Sequence, residues 1–226
     1  GLFKPVISGT IAHSTTEKNS TLGFGIFYWA INLGAFLFPL ILVPILKKQS
    51  YGYVFWMAAA AGVILLLINI FVYKEPQHKK SDLSVGKVFK EMALVFRDWK
   101  FITMILIYSG FWIMYFQMYG TVLWYVNEYM DMTPFNNAVN SFLSLFTSSS
   151  TQWAFDVEHV TVLNAGVIIL LQLIVSKLVS KTKALPTIIT GIGFGTLGMA
   201  ILALSGHAWV FITGCVVFTL GEMTAH

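Results

Sequence analysis

Residues 52–73 read Gly-Tyr-Val-Phe-Trp-Met-Ala-Ala-Ala-Ala-Gly-Val-Ile-Leu-Leu-Leu-Ile-Asn-Ile-Phe-Val-Tyr, a run without a charged side chain. A helix that crosses a bilayer needs about 20 mostly apolar residues, and this run supplies them. Similar runs fall at 22–46, 101–127, 160–180, 186–206 and 208–226. They recur from end to end, so one buried core does not account for them. Hydrophobic residues make up 57% of the 226 and charged ones 11%, with a mean hydropathy of +0.75. A soluble domain carries about 25% charged residues, because its surface faces water. The fold class that follows is an all-α membrane protein.

The two ends are read the same way. Residues 1–12 are apolar but too few to cross, and they begin at Gly1 without a charged region and cleavage site of the secretory kind. The last run stops at His226. The expectation is a fragment, cut within membrane segments at both ends. Cys215 lies in an apolar run, so disulfides are not part of the design.

Charge placement gives the expected orientation. Of fourteen Lys and Arg, seven lie between residues 74 and 100: Lys74, Lys79, Lys80, Lys87, Lys90, Arg97 and Lys100. Lys177, Lys181 and Lys183 come two crossings later, on the same side, and Lys18 joins them. The connection 128–159 has no Lys or Arg, while Lys47 and Lys48 are a pair on the opposite side. Because cytoplasmic loops collect positive charge, segment 74–100 is expected to be cytoplasmic. Within it Val88, Phe89, Met92, Val95, Phe96 and Trp99 fall on one helical face, with Lys87, Lys90, Glu91 and Asp98 elsewhere. That pattern fits a helix on the membrane surface or a connector between two bundles. The connection 128–159 reads as a short helix or a loop.

Polar residues inside apolar runs are the candidates for function. A charge at mid-bilayer costs about 2.5–3.5 kcal/mol on insertion scales, so it usually faces a cavity or a partner. Lys4 and Glu222 stand alone in the first and last apolar segments; the plain alternative is that each snorkels from a helix end to water. Asn32, Gln117 and Asn164 are weaker signals, since an amide in a membrane helix often only joins helices. Gly191 and Gly195 have the spacing that lets two helices approach closely, and Pro39 and Pro44 are expected to kink their helix. The five His show no metal-ligand spacing, and no nucleophile–base pairing points to an enzyme. No basic run interleaved with aromatics points to nucleic acid.

Several motifs then carry a resemblance. Gly23-Phe24-Gly25-Ile26-Phe27-Tyr28-Trp29-Ala30-Ile31-Asn32-Leu33-Gly34 resembles the FYxxINxG signature of the proton-dependent oligopeptide transporter family, within the major facilitator superfamily. Gly1-Leu2-Phe3-Lys4-Pro5 is similar to its GxxKPN motif, and Phe111-Trp112-Ile113-Met114-Tyr115-Phe116-Gln117 to its FWxxFxQ motif. Glu158 to Asn164 parallels its ExxQxLN approach to the next helix, and Gly221-Glu222-Met223 its GEL motif. These five stretches keep the family's order along nearly the whole chain.

The resemblance implies a layout and a chemistry. Of twelve helices in two six-helix halves, this chain would hold about the fourth to the tenth. Residues 1–73 would belong to the N-terminal bundle, 74–100 to the cytoplasmic linker, and 101–226 to the C-terminal bundle. The function implied is proton-coupled symport of di- and tripeptides by alternating access, in a multi-pass protein of the cell membrane that acts as a monomer. Glu222 would hold the peptide's ammonium, helped by Asn164, and Lys4 its carboxylate. Asn32 would donate to the peptide carbonyl, Tyr28 and Trp112 would line side-chain pockets, and Gln117 would complete the substrate set. Glu222 and Lys4 would couple the proton, and no cofactor or metal enters. The sequence departs from the family's pattern at Phe116, where an acidic residue is usual, and at Val6 and Ala165, where Asn and Pro are expected. A facilitator or symporter of the same fold for another small amphoteric or anionic solute fits these departures. A receptor or scaffold that transports nothing would have no need of Glu222 or Lys4.

Overall fold

The structure, a computed structural model, describes residues 3–16, 19–73, 84–146 and 152–225. All regular structure among them is helical: α1 Phe3–Ser14, α2 Ser20–Leu37, α3 Val43–Lys47, α4 Tyr51–Phe71, α5 Val85–Arg97, α6 Trp99–Met118, α7 Thr121–Tyr129, α8 Thr133–Leu143, α9 Glu158–Val179, α10 Ala184–Leu202 and α11 Ala208–Ala225. Six spans among the described residues are long and apolar enough to cross a membrane, and each coincides with one of the runs read from the sequence. The longest, Ser20–Lys47, joins α2 to α3 through a π-helical turn at Phe38–Leu42. Pro39 lies inside that turn and Pro44 just beyond it, and both lack the N–H groups a continuous ladder needs. The Val43 N–H reaches back five residues to the Phe38 carbonyl instead.

Capping decides where the amphipathic segment ends. Ser84 starts α5 by accepting from the Lys87 N–H, and Asp98 closes it in extended conformation. The Asp98 carboxylate then accepts from the N–H groups of Lys100 (3.0 Å) and Phe101 (3.3 Å), which starts the next helix. Trp99, expected on the face of the amphipathic helix, therefore opens α6 instead. Residues 74–83, with Lys74, Lys79 and Lys80, lie outside the described residues. Phe89, Met92 and Phe96 remain exposed along α5.

Connection 128–159 contains a helix, α8, and a clamp. Asn140 donates to the Trp153 carbonyl and accepts from the Trp153 N–H, both at 2.8 Å, while Asn136 accepts from the Phe155 N–H at 2.9 Å. The two amides, one helical turn apart, hold the returning chain against α8. Phe135, Trp153, Phe155 and Trp209 stack edge to face behind them.

Helix packing is uneven. No residue of α4 is buried against the rest of this chain. The core lies instead where α6, α7, α9, α10 and α11 meet, around Met118, Val122, Val160, Leu202, Phe211 and Phe218. Glycine makes the tightest of these contacts possible. A Cβ on Gly221 would fall on the backbone of Gly195 and Gly191, and one on Gly198 would lie 2.5 Å from the Phe218 nitrogen. A second seam joins α2 to α9. There the Trp29 indole donates to the Ile169 carbonyl at 3.0 Å, and Gly166 faces the Phe36 ring.

These contacts make the glycines of α10 unequal. Gly198→Val should destabilise the protein by about 1–3 kcal/mol, the usual range for overpacking a filled core. Gly193→Ala, whose added methyl meets nothing within 4 Å, should stabilise it by about 0.5–1 kcal/mol, because alanine has less backbone freedom to lose in a helix. Thermal unfolding in detergent micelles compares the two.

Candidate functional site

Glu222 is 2% exposed, in the last turn of α11 and in a run that is otherwise apolar. A buried carboxyl group persists only where donors replace the water it has lost; two other helices send them directly, and the end of α6 supports one of those donors. The Tyr28 hydroxyl, from α2, donates to Glu222 Oε1. The Asn164 amide, from α9, donates to Oε2 at 2.8 Å and to the Thr219 hydroxyl oxygen at 2.9 Å. Thr219 in turn donates to the Cys215 carbonyl at 2.7 Å, within its own helix. From α6, the Tyr119 hydroxyl donates to Asn164 Oδ1 at 3.0 Å, and the Tyr115 hydroxyl donates to that of Tyr119 at 3.4 Å. The bonds on this side run in one direction, from tyrosine to amide to the carboxyl oxygen of Glu222.

The network forms one wall of a cavity of about 330 Å³. Tyr28 and Asn32 come from α2, Trp112 and Tyr115 from α6, Asn164 from α9 and Glu222 from α11. Trp112, Tyr115 and Tyr119 follow an i, i+3, i+7 spacing and make an aromatic face, with ring centroids 5.1 and 5.3 Å apart along it. Helices before and after the basic segment thus contribute to one chamber whose only charged wall, among the described residues, is a carboxylate. A larger groove of about 850 Å³ between α6 and α10 is apolar and holds no member of this network. A separate ion pair joins Lys47, at the end of α3, to Glu158 at the start of α9, with Asp156 at 4.0 Å.

A sequence profile of the Major Facilitator Superfamily matches residues 1–226. The chain belongs to the Major Facilitator Superfamily. It is also similar to the protein named Uncharacterized transporter YclF of Bacillus subtilis (strain 168), 34% identical over 100 residues. That match covers 38% of this chain and a fifth (20%) of the relative's length. No solved structure matches the chain. Membership makes this a multi-pass membrane protein of a transporter family rather than an enzyme. In such folds the solute site lies near the bilayer midplane, where the two halves meet.

Five of the residues singled out in the sequence, Tyr28, Asn32, Trp112, Asn164 and Glu222, line this one cavity. Asn32, 7% exposed, donates to the Tyr28 carbonyl at 2.9 Å, so part of its amide is committed within α2. Gln117 does not join them. It is exposed, and its side chain accepts from the Thr121 hydroxyl at 2.5 Å. The reason is helical phase: two residues past Tyr115 is about 200° around α6, on the opposite face. Phe116 also lies off the cavity wall, 61% exposed. Lys4 belongs to α1, and its side chain lies outside the described residues. Tyr115, Tyr119 and Thr219 were not anticipated, although the spacing 112, 115, 119 and the position of Thr219 one turn before Glu222 were signals for them.

Asn164 serves Tyr119, Thr219 and Glu222 together, which ranks the variants. Tyr119→Phe removes one donor from an amide that keeps its other bonds, a loss of about 1 kcal/mol. Asn164→Leu leaves a buried carboxylate oxygen without its donor and should cost about 2–3 kcal/mol. In the double variant the two losses should fall short of their sum, since both act on one network. Thermal unfolding of the four proteins measures the coupling directly.

Proposed function

We propose that this chain builds the central site of a proton-coupled symporter for di- and tripeptides, working by alternating access. The observation that carries the reading is the Glu222 carboxylate, buried at the wall of a cavity shared by helices on either side of the basic segment. Its described partners are neutral hydroxyls and an amide. An arriving ammonium or proton would bring the compensating charge that these donors lack, and would compete with Tyr28 and Asn164 for the same oxygens. The cavity, about 330 Å³, is at the small end of the range for ligand sites, roughly 300–1,000 Å³, as a short peptide requires. Trp112 and Tyr115 offer surfaces for varied side chains. Lys4 is assigned to the peptide carboxylate through the family resemblance of its motif. The basic segment is assigned to the cytoplasm by its charge, with residues 1–73 and 101–226 in the two halves of a monomeric protein.

Phe116 bears on the second reading. The acid usual at this position would sit on an exposed part of α6, away from Glu222, so its replacement leaves the cavity's charge as it is. Coupling is therefore assigned to Glu222 with Lys4. A same-fold facilitator or symporter of another amphoteric or anionic solute is the reading that Phe116 favours if coupling needs both acids.

Uptake of a labelled dipeptide into proteoliposomes holding the full-length protein, with and without an inward proton gradient, tests this. Gradient-driven uptake should fall at least about tenfold in both Glu222→Gln and Lys4→Ala. Uptake that ignores the gradient yet depends on Glu222 would identify a facilitator. No dipeptide uptake from folded protein would overturn the assignment.

A further inference from the structure

One buried polar atom is left over by the network at Glu222. Gln172 lies on α9, eight residues beyond Asn164, and is 6% exposed. Its Nε2 donates to the Ser176 hydroxyl oxygen at 3.1 Å. Its Oε1 has no hydrogen-bond donor, the single such buried side-chain atom among the described residues. A buried acceptor without a donor forfeits the hydrogen bond that water gave it in the unfolded chain. A packing role explains this poorly, because a Leu or Met would fill the same space without the penalty.

Gln172 lines a second chamber, of about 280 Å³. Its walls include Ser8 from α1, Gly25 and Tyr28 from α2, Ser176 from α9 and Thr224 from α11. Both sides of the basic segment therefore contribute here too. Among the described residues Tyr28 alone lines both chambers, and its hydroxyl is tied to Glu222. The second chamber runs toward Thr21 and Val179, the end of the bundle near Lys177, Lys181 and Lys183. The close approach of α2 and α9 shapes its wall, since a Cβ on Gly25 would lie 2.5 Å from Ser176 Oγ.

The chemistry of the walls selects a class of occupant. Thr224 commits its hydroxyl proton to the carbonyls of Leu220 and Gly221, both at 3.0 Å, and so presents only lone pairs. Gln172 Oε1 likewise can only accept. We propose that this chamber is a second solute station, in which Gln172 Oε1 accepts a hydrogen bond from an N–H group of a solute that has left Glu222, with Tyr28 as the gate between the two. The occupant facing Gln172 Oε1 is a donor-bearing end, an ammonium or an amide; the hydroxyls of Ser8, Thr21 and Ser176 also line the chamber. The peptide arm of the test rests on the transport reading above; the arm with small reagents does not.

The full-length protein, with its other thiols replaced, carries Ser176→Cys in proteoliposomes. It is labelled with aminoethyl methanethiosulfonate, whose ammonium bears N–H donors, and with the trimethylammonium reagent, which has none. Labelling by the aminoethyl reagent should be slowed at least about fivefold by saturating dipeptide. Adding Gln172→Met should slow aminoethyl labelling about tenfold, leave the trimethylammonium rate unchanged and abolish protection by dipeptide. If the protein moves no dipeptide, the transport reading fails, and the two reagents still decide whether the chamber recognises an N–H donor. An unlabelled Cys, protection that survives Gln172→Met, or equal slowing of both reagents would overturn the proposal.

Discussion

Burying one carboxylate constrains more of this molecule than any other interaction. In a bilayer Glu222 has no water to fall back on, so every donor it uses must be held in place by a helix. Tyr28 reaches it only if α2 presents that face, Asn164 only if α9 is at the right depth and rotation, and Tyr119 acts through Asn164 only if α6 ends beside them. The carboxylate thus fixes the phase of three neighbouring helices around α11. The depth of α11 itself is set on its far side, where Gly221 lies against the backbone of α10. Gly221 and Glu222 are adjacent because one residue must let a helix approach while the next must face the cavity.

What could be read from the sequence follows from which signals are local. Apolar length is local, so the spans at 52–73 and 160–180 anticipated α4 and α9 closely. Isolated polarity is also local, and it led to Glu222, Asn164 and Asn32. Helical phase is local as well but was applied incompletely. Trp112 implied Tyr115 and Tyr119 on its own face and placed Gln117 on the other, whereas the motif grouped Trp112 with Gln117. Partnership across the chain is not local. Nothing near Gln172 indicates that its carbonyl lacks a donor. Nor does the sequence around Lys47, the exception to the charge distribution, indicate that Glu158 waits 111 residues away.

The seam between α2 and α9 differs from one end to the other. Toward the second chamber it is closed by small groups, Gly25 against Ser176. In the middle the Trp29 indole bonds a backbone carbonyl. At the far end, past the π-helical turn, it is tied by Lys47 and Glu158. If a solute passes along this seam, as the transport proposal requires, the seam cannot be held by strong contacts along its whole length. Exposed ion pairs contribute about 0–1 kcal/mol, and hydrogen bonds between membrane helices average about 0.6 kcal/mol. Each tie is small enough to be exchanged for contacts with a solute.

Magnitude also argues for the carboxylate, rather than the seam, as the place where binding energy acts. Shifting a two-state equilibrium from 1:99 to 99:1 takes about 5.5 kcal/mol of differential affinity, more than any one tie along the seam supplies. A charge arriving at Glu222 would change the standing of all its donors together, because Tyr28 and the chain from Tyr115 through Asn164 end on the same carboxyl group. Under the proposed function Tyr28 would turn that local change into an opening. Its hydroxyl bonds the carboxyl group, while the residue itself lines both chambers. An ammonium or a proton that displaced the hydroxyl would release the proposed gate as the site filled. Occupancy and release would be coupled through one side chain, without any long chain of intermediates.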